Sequence, residues 1–240
     1  MEKVKKIKIY IGLLYLTTVG IFLYFLFSKF SLQELSSYEF IKDNIEYFSE
    51  IKTKNIFLLS LFFLIFTILW VFPFLGFGSP VALLAGFILG KWVGSIVAII
   101  GLSVGASFLY IFANFFLKEF VREKFLNKFE NLEEKFKKSE FIYLLIYRFI
   151  GGIPWQLSCV LPTLFNVKVM NFFIATLIGI IPQVFLVVSI GSGLETIIGQ
   201  NLTPPGIMDI ISSPEIYFPL GAFFILIITT IFLRKIFYKK

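Results

Sequence analysis

The sequence predicts an all-α, polytopic integral membrane protein that contains two inverted-repeat units flanked by N- and C-terminal transmembrane helices. Three observations predict this fold class. The chain of 240 residues is 58% hydrophobic and only 15% charged, whereas soluble domains are about 25% charged. Its mean hydropathy is +0.90, and long apolar blocks alternate with charged ones. Two apolar blocks are interrupted by proline and glycine, so we expect each unit to be a re-entrant helical hairpin plus a crossing helix.

The first apolar block predicts an N-terminal transmembrane helix behind a basic segment, within residues 1–30. Ile7–Phe27 is apolar except for Lys8, and no small-x-small cleavage site follows it, so we expect the helix to be retained. Apolar residues recur at three-to-four spacing in the polar segments 31–54 and 118–140, which predicts two amphipathic helices. Such helices either lie in the membrane interface or cover loops of the bundle, and both readings stay open.

Residues 55–195 predict the membrane domain, which begins with a hairpin over 55–90 and a crossing helix over 92–117. The whole apolar block carries one charge, Lys91, and is too long for a single helix of about 20 residues. Its break contains four residues that end or kink helices, namely Pro73, Gly76, Gly78 and Pro80. A hairpin that turns at this break and a helix that crosses would together account for the length.

The second unit predicts the same plan from the opposite side, with a hairpin over 141–167 and a crossing helix over 168–190. Its break and kink residues are Gly151, Gly152, Pro154, Pro162, Gly179 and Pro182. The alternative is that the proline pairs only kink ordinary transmembrane spans. Residues 196–240 then predict an outer loop and a C-terminal transmembrane helix.

Basic residues in the loops predict that both termini lie in the cytoplasm of a multi-pass cell-membrane protein. The N-terminal segment and the tail each carry four basic residues, segment 118–140 carries seven, and segment 191–215 carries none. Since lysine and arginine are enriched in cytoplasmic loops, segments 29–54 and 191–215 are expected outside. The net charge of +7 therefore indicates contact with anionic lipid and no nucleic-acid partner.

Arg148 is the most informative residue, because it and Lys168 are the only charges between residues 141 and 190. A guanidinium at membrane depth costs about 2.5–3.5 kcal/mol on insertion scales, and it can hold a phosphate with two parallel hydrogen bonds. We therefore predict that Arg148, Gln156 and Gln183 bind substrate. The alternative for each is that it satisfies backbone groups freed by the helix break.

The composition does not favour an enzyme, a cofactor or a metal site. The chain lacks histidine and has one cysteine, Cys159, so neither a thiolate zinc cage nor a Cys-His pair is available. The apolar blocks also lack a close acidic pair that could hold a metal. Binding and transport functions remain.

An ordered set of motif residues carries a family resemblance over roughly residues 70–195. A ladder of small residues comes first, at Pro80, Gly86, Gly90, Gly94, Gly101 and Gly105. Its glycines predict close helix packing. Arg148-Phe149 and Pro154-Trp155 follow, and then Phe173, Thr176, Gly179 and Pro182 in the pattern Phe-x-x-Thr-x-x-Gly-x-x-Pro. This set resembles the DedA/VTT superfamily, also called SNARE-associated Golgi proteins.

The chain departs from the family pattern in four places. Cys159 stands where Asn is frequent, Thr163 where Gly is frequent, and Asn114 where an arginine is usual. Phe72–Gly90 contains no acidic residue, although the DedA branch often has one in its first hairpin. The missing carboxylate argues against proton coupling and favours the VTT-like branch.

The resemblance implies membrane lipid handling, as a scramblase or as a transporter of a polyprenyl-phosphate or phospholipid. The expected partners are membrane lipids, with an anionic phospholipid or a polyprenyl phosphate foremost, and the residues leave a homo-oligomer open. Two other functions remain under consideration. One is a secondary transporter of a small solute or ion, and the other is a membrane scaffold or assembly factor.

Overall fold

A computed structural model describes most of the chain and divides it into two compact units, residues 1–47 and 48–240. The described residues are 38–72, 77–119, 139–150, 154–200 and 205–237, with positions 10, 17, 20, 21, 24, 121 and 123. In the first unit the described residues are helical. Most of the predicted N-terminal transmembrane helix (1–30) and of the predicted amphipathic helix over 118–140 lies outside the described residues.

Helices account for the regular structure of the described residues, which contain no strand, and this confirms the all-α class. We number the α-helices in chain order: α1 (Tyr38–Val71), α2 (Gly78–Leu89), α3 (Lys91–Phe116), α4 (Glu140–Ile150), α5 (Trp155–Val160), α6 (Val169–Gly179), α7 (Ile181–Gln200), α8 (Ile207–Ser212) and α9 (Pro214–Phe237). A 3₁₀-helix, Leu161–Phe165, follows α5 directly.

Three stretches of helix in the described part of the chain are long and apolar enough to cross a membrane. They are Ser49–Val71 in α1, α3 and α7. The lipid-facing character of α1 is visible in Phe57 and Phe62, which are more than two-thirds exposed. Such exposure of large apolar side chains along a helix is expected where lipid, not water, is the surrounding solvent.

The first predicted hairpin has arms of unequal length. Asn55 interrupts α1 with an extended backbone (φ −157°, ψ 75°), and its Oδ1 accepts the N–H of Leu58, as at a helix N-cap. The apolar part of the helix therefore begins where the sequence block begins. At 1.5 Å per residue the 12 residues of α2 extend about 18 Å, well short of the ~30 Å hydrocarbon layer.

The second half differs from the single crossing helix predicted over 168–190. Two helices, α6 and α7, meet there at Ile180, and α7 continues to Gln200 through part of the block predicted to be an outer loop. Pro182 lacks the N–H that a continuous helix needs at this point. Gly179, the last residue of α6, lies against α4, since a Cβ there would be 2.6 Å from the Cβ of Arg148.

Helices α2 and α7 are in direct backbone contact. A Cβ added to Gly86 would lie 1.9 Å from the carbonyl oxygen of Val188, and one added to Gly191 would lie 2.0 Å from that of Leu83. No side chain can be accommodated at these distances, so the two glycines permit the packing of the short helix onto the long one.

The remaining ladder glycines bring α3 close to its neighbours, with one exception. A Cβ at Gly94 would lie 2.5 Å from the carbonyl oxygen of Ala85, one at Gly101 would meet Thr67, and one at Gly105 would meet Val71. Gly90 has a different requirement. It joins α2 to α3 with a φ of +79°, a conformation that side chains disfavour.

Replacing Gly86 or Gly191 with Ala should lower the free energy of unfolding by about 1–3 kcal/mol or more, because the added methyl overlaps a backbone carbonyl. Thermal unfolding of the detergent-solubilised protein would measure the change. Gly221→Ala is the matched control, since its Cβ would meet nothing within 4 Å, and it should not lower stability. An unchanged melting temperature for Gly86→Ala would contradict the backbone contact.

Candidate functional site

The two helix breaks converge on a cavity of about 260 Å³. Its wall is formed by the N-terminal ends of α2 and α5, by α7, and by single residues of α3 and α9. The lining residues are Phe77, Gly78, Ser79, Ala82, Leu102, Pro154, Trp155, Ile180, Gln183, Val184, Val187 and Phe223. Most are apolar, and Ser79 and Gln183 supply the polar side chains among them.

The N-terminal end of α2 presents backbone donors to this cavity. Phe77 is the N-cap residue in an extended conformation, and no side chain caps the helix there. Its carbonyl oxygen accepts the indole N–H of Trp70 at 3.0 Å, which holds the start of α2 against α1. Because the first N–H groups of a helix lack intrahelical partners, this end of the cavity carries partial positive charge.

Arg148 lies next to the cavity but is 4% exposed. Its Nε donates to Thr176 Oγ1 at 3.0 Å and its Nη1 to Ser158 Oγ at 2.7 Å. Its Nη2 approaches Cys159 Sγ at 3.6 Å. The contacts with described residues thus use three of the five N–H groups of the guanidinium.

Aromatic rings enclose the guanidinium on two sides. Its central carbon lies 4.8 Å from the ring centre of Phe172 and 5.3 Å from that of Trp155. Phe172 in turn stacks on Tyr110, with the two ring centres 4.5 Å apart. The hydroxyl of Tyr110 donates a hydrogen bond to the carbonyl oxygen of Val167. Cation–π contacts of a desolvated guanidinium contribute about 2 kcal/mol or more, so these rings offset part of its desolvation.

The guanidinium has no carboxylate partner among the described residues. Arg148 does lie in the last turn of α4, where the carbonyl ends of the helix favour a cation. The result is a buried positive charge held by hydroxyls, rings and a helix dipole. An anion that reached Arg148 would be attracted by a charge that no described carboxylate neutralises.

Gln183 satisfies the end of α4. Its Nε2 donates to the carbonyl oxygens of Phe149 at 2.9 Å and of Arg148 at 3.3 Å. These carbonyls are at the helix end, where intrahelical donors are missing. The backbone role that the sequence left open for Arg148 is therefore carried out in this structure by Gln183, which also lines the cavity.

Trp155 separates Arg148 from the cavity. The indole ring lines the cavity and contacts the guanidinium. The backbone carbonyl oxygen of Trp155 accepts a hydrogen bond from the hydroxyl of Ser158. The same hydroxyl accepts from Arg148, so Ser158 connects the two residues. The indole Nε1 is buried without a hydrogen-bond partner among the described residues, an arrangement that costs about 1–3 kcal/mol.

The other predicted residues are distributed as follows. Gly78 and Pro154 line the cavity, Pro80 lies in the first turn of α2, Pro162 is in the 3₁₀-helix and Pro182 is the second residue of α7. Gln156 is partly buried on α5 and is not among the described lining residues. Pro73, Gly76, Gly151 and Gly152 lie outside the described residues.

Sequence reasoning did not assign roles to the side chains that surround the guanidinium. Trp155 and Thr176 belong to the quoted motif, so the motif itself was the available signal. Ser158 had a weaker signal, since it is a hydroxyl residue within the second break. Phe223 had none, because its place in the cavity wall depends on how α9 packs against α7.

The family model of the VTT domain matches residues 72–193, just over half of the chain. The protein belongs to the VTT-domain family. This is the domain of the DedA/SNARE-associated Golgi proteins, which confirms the resemblance predicted from the motif. The VTT domain supplies the described lining of the cavity apart from Phe223. No solved structure matches the chain.

Membership of the VTT family and the apolar helices together make this a membrane protein. Within the VTT domain the two breaks, Arg148 and Gln183 are brought together around one cavity. This convergence is the geometric basis for the functional proposal below.

Thr176→Val should lower the free energy of unfolding by about 1–3 kcal/mol, because it leaves the Nε–H of Arg148 buried without an acceptor. Chemical unfolding in detergent would measure the loss. In an Arg148→Met background the same substitution should cost much less, because the donor is gone. Thr229→Val is the control, since Thr229 is exposed and bonds only within its own helix. Equal losses in both backgrounds would contradict the pairing.

Proposed function

We propose that this protein translocates membrane lipids, as a scramblase or as a transporter of a polyprenyl-phosphate or phospholipid, and that the cavity at the two breaks receives the headgroup. The observation that supports this most is the meeting of both helix breaks beside Arg148, which is buried and has no carboxylate partner among the described residues. A headgroup would pass through this cavity while the acyl chains stay in the bilayer. The proposal involves no chemical step.

The composition of the cavity favours a lipid over a polar solute. Ser79 and Gln183 are the polar side chains among its described lining, and aromatic rings line it at Phe77, Trp155 and Phe223. A hydrophilic solute would lose its hydration here without enough hydrogen bonds in return. A lipid phosphate requires hydrogen-bond donors only around its headgroup, because the rest of the molecule is hydrocarbon. In our proposal the N-terminus of α2 and Arg148 supply these donors.

The charge of the site favours an anionic lipid. Arg148 lies in contact with the cavity wall, and the described lining includes no carboxylate that would neutralise it. In our proposal Arg148 contacts the phosphate with its guanidinium and Gln183 supplies a hydrogen bond. Anionic phospholipid and polyprenyl phosphate both meet this requirement.

The proposed arrangement in the membrane is an inverted repeat with both termini in the cytoplasm. Its support is that short helices follow both breaks, α2 after the first and α5 with its 3₁₀ extension after the second, and that both lead to one cavity. Short helices that meet at mid-depth are typical of transporters with inverted repeats. The cell membrane is the proposed location.

Arg148→Ala should slow lipid flipping in liposomes at least about tenfold, the equivalent of one lost charge-assisted hydrogen bond of about 1.5–3 kcal/mol. The measurement is dithionite bleaching of fluorescent phosphatidylglycerol or polyprenyl phosphate in proteoliposomes, without ATP. Lys91→Ala removes an exposed cation on α3 and should leave the rate unchanged. Thr176→Val controls for the lower stability of the arginine variant.

Two outcomes would replace the proposal. If well-folded wild-type protein flips neither lipid, the function is solute transport or scaffolding. If Arg148→Ala flips as fast as wild type, the headgroup does not pass through this site.

Single cysteines introduced at Ser79 and at Leu157 test the membrane arrangement, with buried Cys159 as the background. Ser79 lines the cavity and Leu157 lies on α5, directly after the second break. If both tips are re-entrant, each introduced thiol should react poorly with membrane-impermeant maleimide added from either side. A cysteine at Asp209, in the segment predicted to lie outside, should react from the outer face only. Rapid labelling of the two tips from opposite faces would show ordinary full spans instead of re-entrant hairpins.

A further inference from the structure

The position of Trp155 indicates a role that the family motif does not assign. Its ring has one side on the guanidinium of Arg148 and lines the cavity with the rest of its surface. A Cβ on Gly78 would lie 3.6 Å from Cδ2 of the indole, so the ring also packs against the start of α2. The indole thus occupies the path from the cavity to the buried cation.

The hydrogen bonding of Trp155 is incomplete in this state. Its Nε1–H is buried and unpartnered among the described residues, although buried indole N–H groups usually find an acceptor. Nothing comparable affects Trp70, whose N–H is bonded to the carbonyl oxygen of Phe77. A group with several acceptor oxygens that entered the cavity would supply the partner that Trp155 lacks.

Trp155 lies at the end of a short helix, where packing holds its side chain. Helix α5 has six residues and follows Pro154, which is exposed, and Trp155 is its first residue. The ring lies over the guanidinium of Arg148 and packs against both apolar clusters, one that contains Leu102 and one that contains Phe172. The indole is therefore held by packing and not by a hydrogen bond from its N–H to any described residue.

We propose that Trp155 is a gate and a binding donor for a phosphate group. Its ring shields Arg148 from the empty cavity, and when a phosphate enters, the ring turns aside and its N–H hydrogen-bonds an oxygen that Arg148 also holds. The inference rests on the proposed function for the identity of the phosphate as a lipid headgroup. A ligand that binds the open position of the ring more tightly than the closed one shifts the equilibrium toward the open position. The size of the shift is set by the difference between the ligand's affinities for the two positions.

The gate is tested by the reaction of Arg148 with phenylglyoxal in phosphate-free maltoside micelles, followed by peptide mass spectrometry and normalised to the Arg234 peptide. Trp155→Ala should speed modification of Arg148 about tenfold, corresponding to an opening equilibrium shifted by one decade. Trp92→Ala should have no effect, because Trp92 is exposed and lies outside the described cavity lining. Equal rates in wild type and a folded Trp155→Ala variant would overturn the gate.

The donor role is tested separately with Trp155→Phe, which keeps a ring and removes the N–H. Arg148 should remain shielded, while binding of fluorescent phosphatidylglycerol should weaken about tenfold. Unchanged affinity would overturn the donor role, and this result does not depend on whether Trp155→Ala folds.

Two protection arms identify the source of the phosphate. In Trp155→Ala, phosphatidylglycerol added to the micelles should slow modification of Arg148, whereas inorganic phosphate should not. Protection by inorganic phosphate alone would keep the gate but overturn the lipid as its ligand. If Trp155→Ala speeds modification of Arg148 but the wild-type protein flips no lipid, the gate is supported and translocation is rejected. If the wild-type protein flips lipid but Trp155→Ala leaves the modification rate unchanged, only the gate is rejected.

Discussion

The burial of the Arg148 guanidinium is the constraint on which the second half of this protein depends. A charge removed from water needs hydrogen bonds or other polar contacts from several directions, and the hydroxyls and aromatic rings that provide them come from different helices. Thr176 and Phe172 come from α6, Ser158 and Trp155 from α5. One side chain therefore determines how three short helices are placed relative to one another. Gly179 is required for the same reason, because any side chain there would displace Arg148.

The two sides of the cavity are held in different ways. On one side α2 and α7 meet backbone to backbone at Gly86 and Gly191, a contact that leaves no freedom for small adjustments. On the other side Trp155 is held by side chains and by the short helix α5. A binding site of this construction has a fixed wall, which positions the α2 N-terminus, and a wall of side chains that can rearrange around a ligand. Both properties would suit the passage of a headgroup that we propose for this site.

Much of the fold and part of the site could be predicted from local sequence signals. The apolar block boundary at Asn55 is a helix start in the structure, and the break residues at Gly78 and Pro154 line the cavity. The interruption at Ile180 lies between Gly179 and Pro182, which are two of the predicted break and kink residues. The candidate membrane span Ser49–Val71 begins six residues before Asn55, in the polar segment that predicts an amphipathic helix.

The sequence by itself determined that this is a helical membrane protein of the VTT family, since hydropathy, proline and glycine positions and the motif are properties of the chain alone. It also singled out Arg148, because a charge in an apolar block is conspicuous without any coordinates. Only the tertiary structure decided that Gln183 satisfies the end of α4, that hydroxyls and rings hold the guanidinium, and that Trp155 stands between it and the cavity. These contacts join residues up to 35 positions apart, and such pairs depend on how helices pack, which no local pattern specifies.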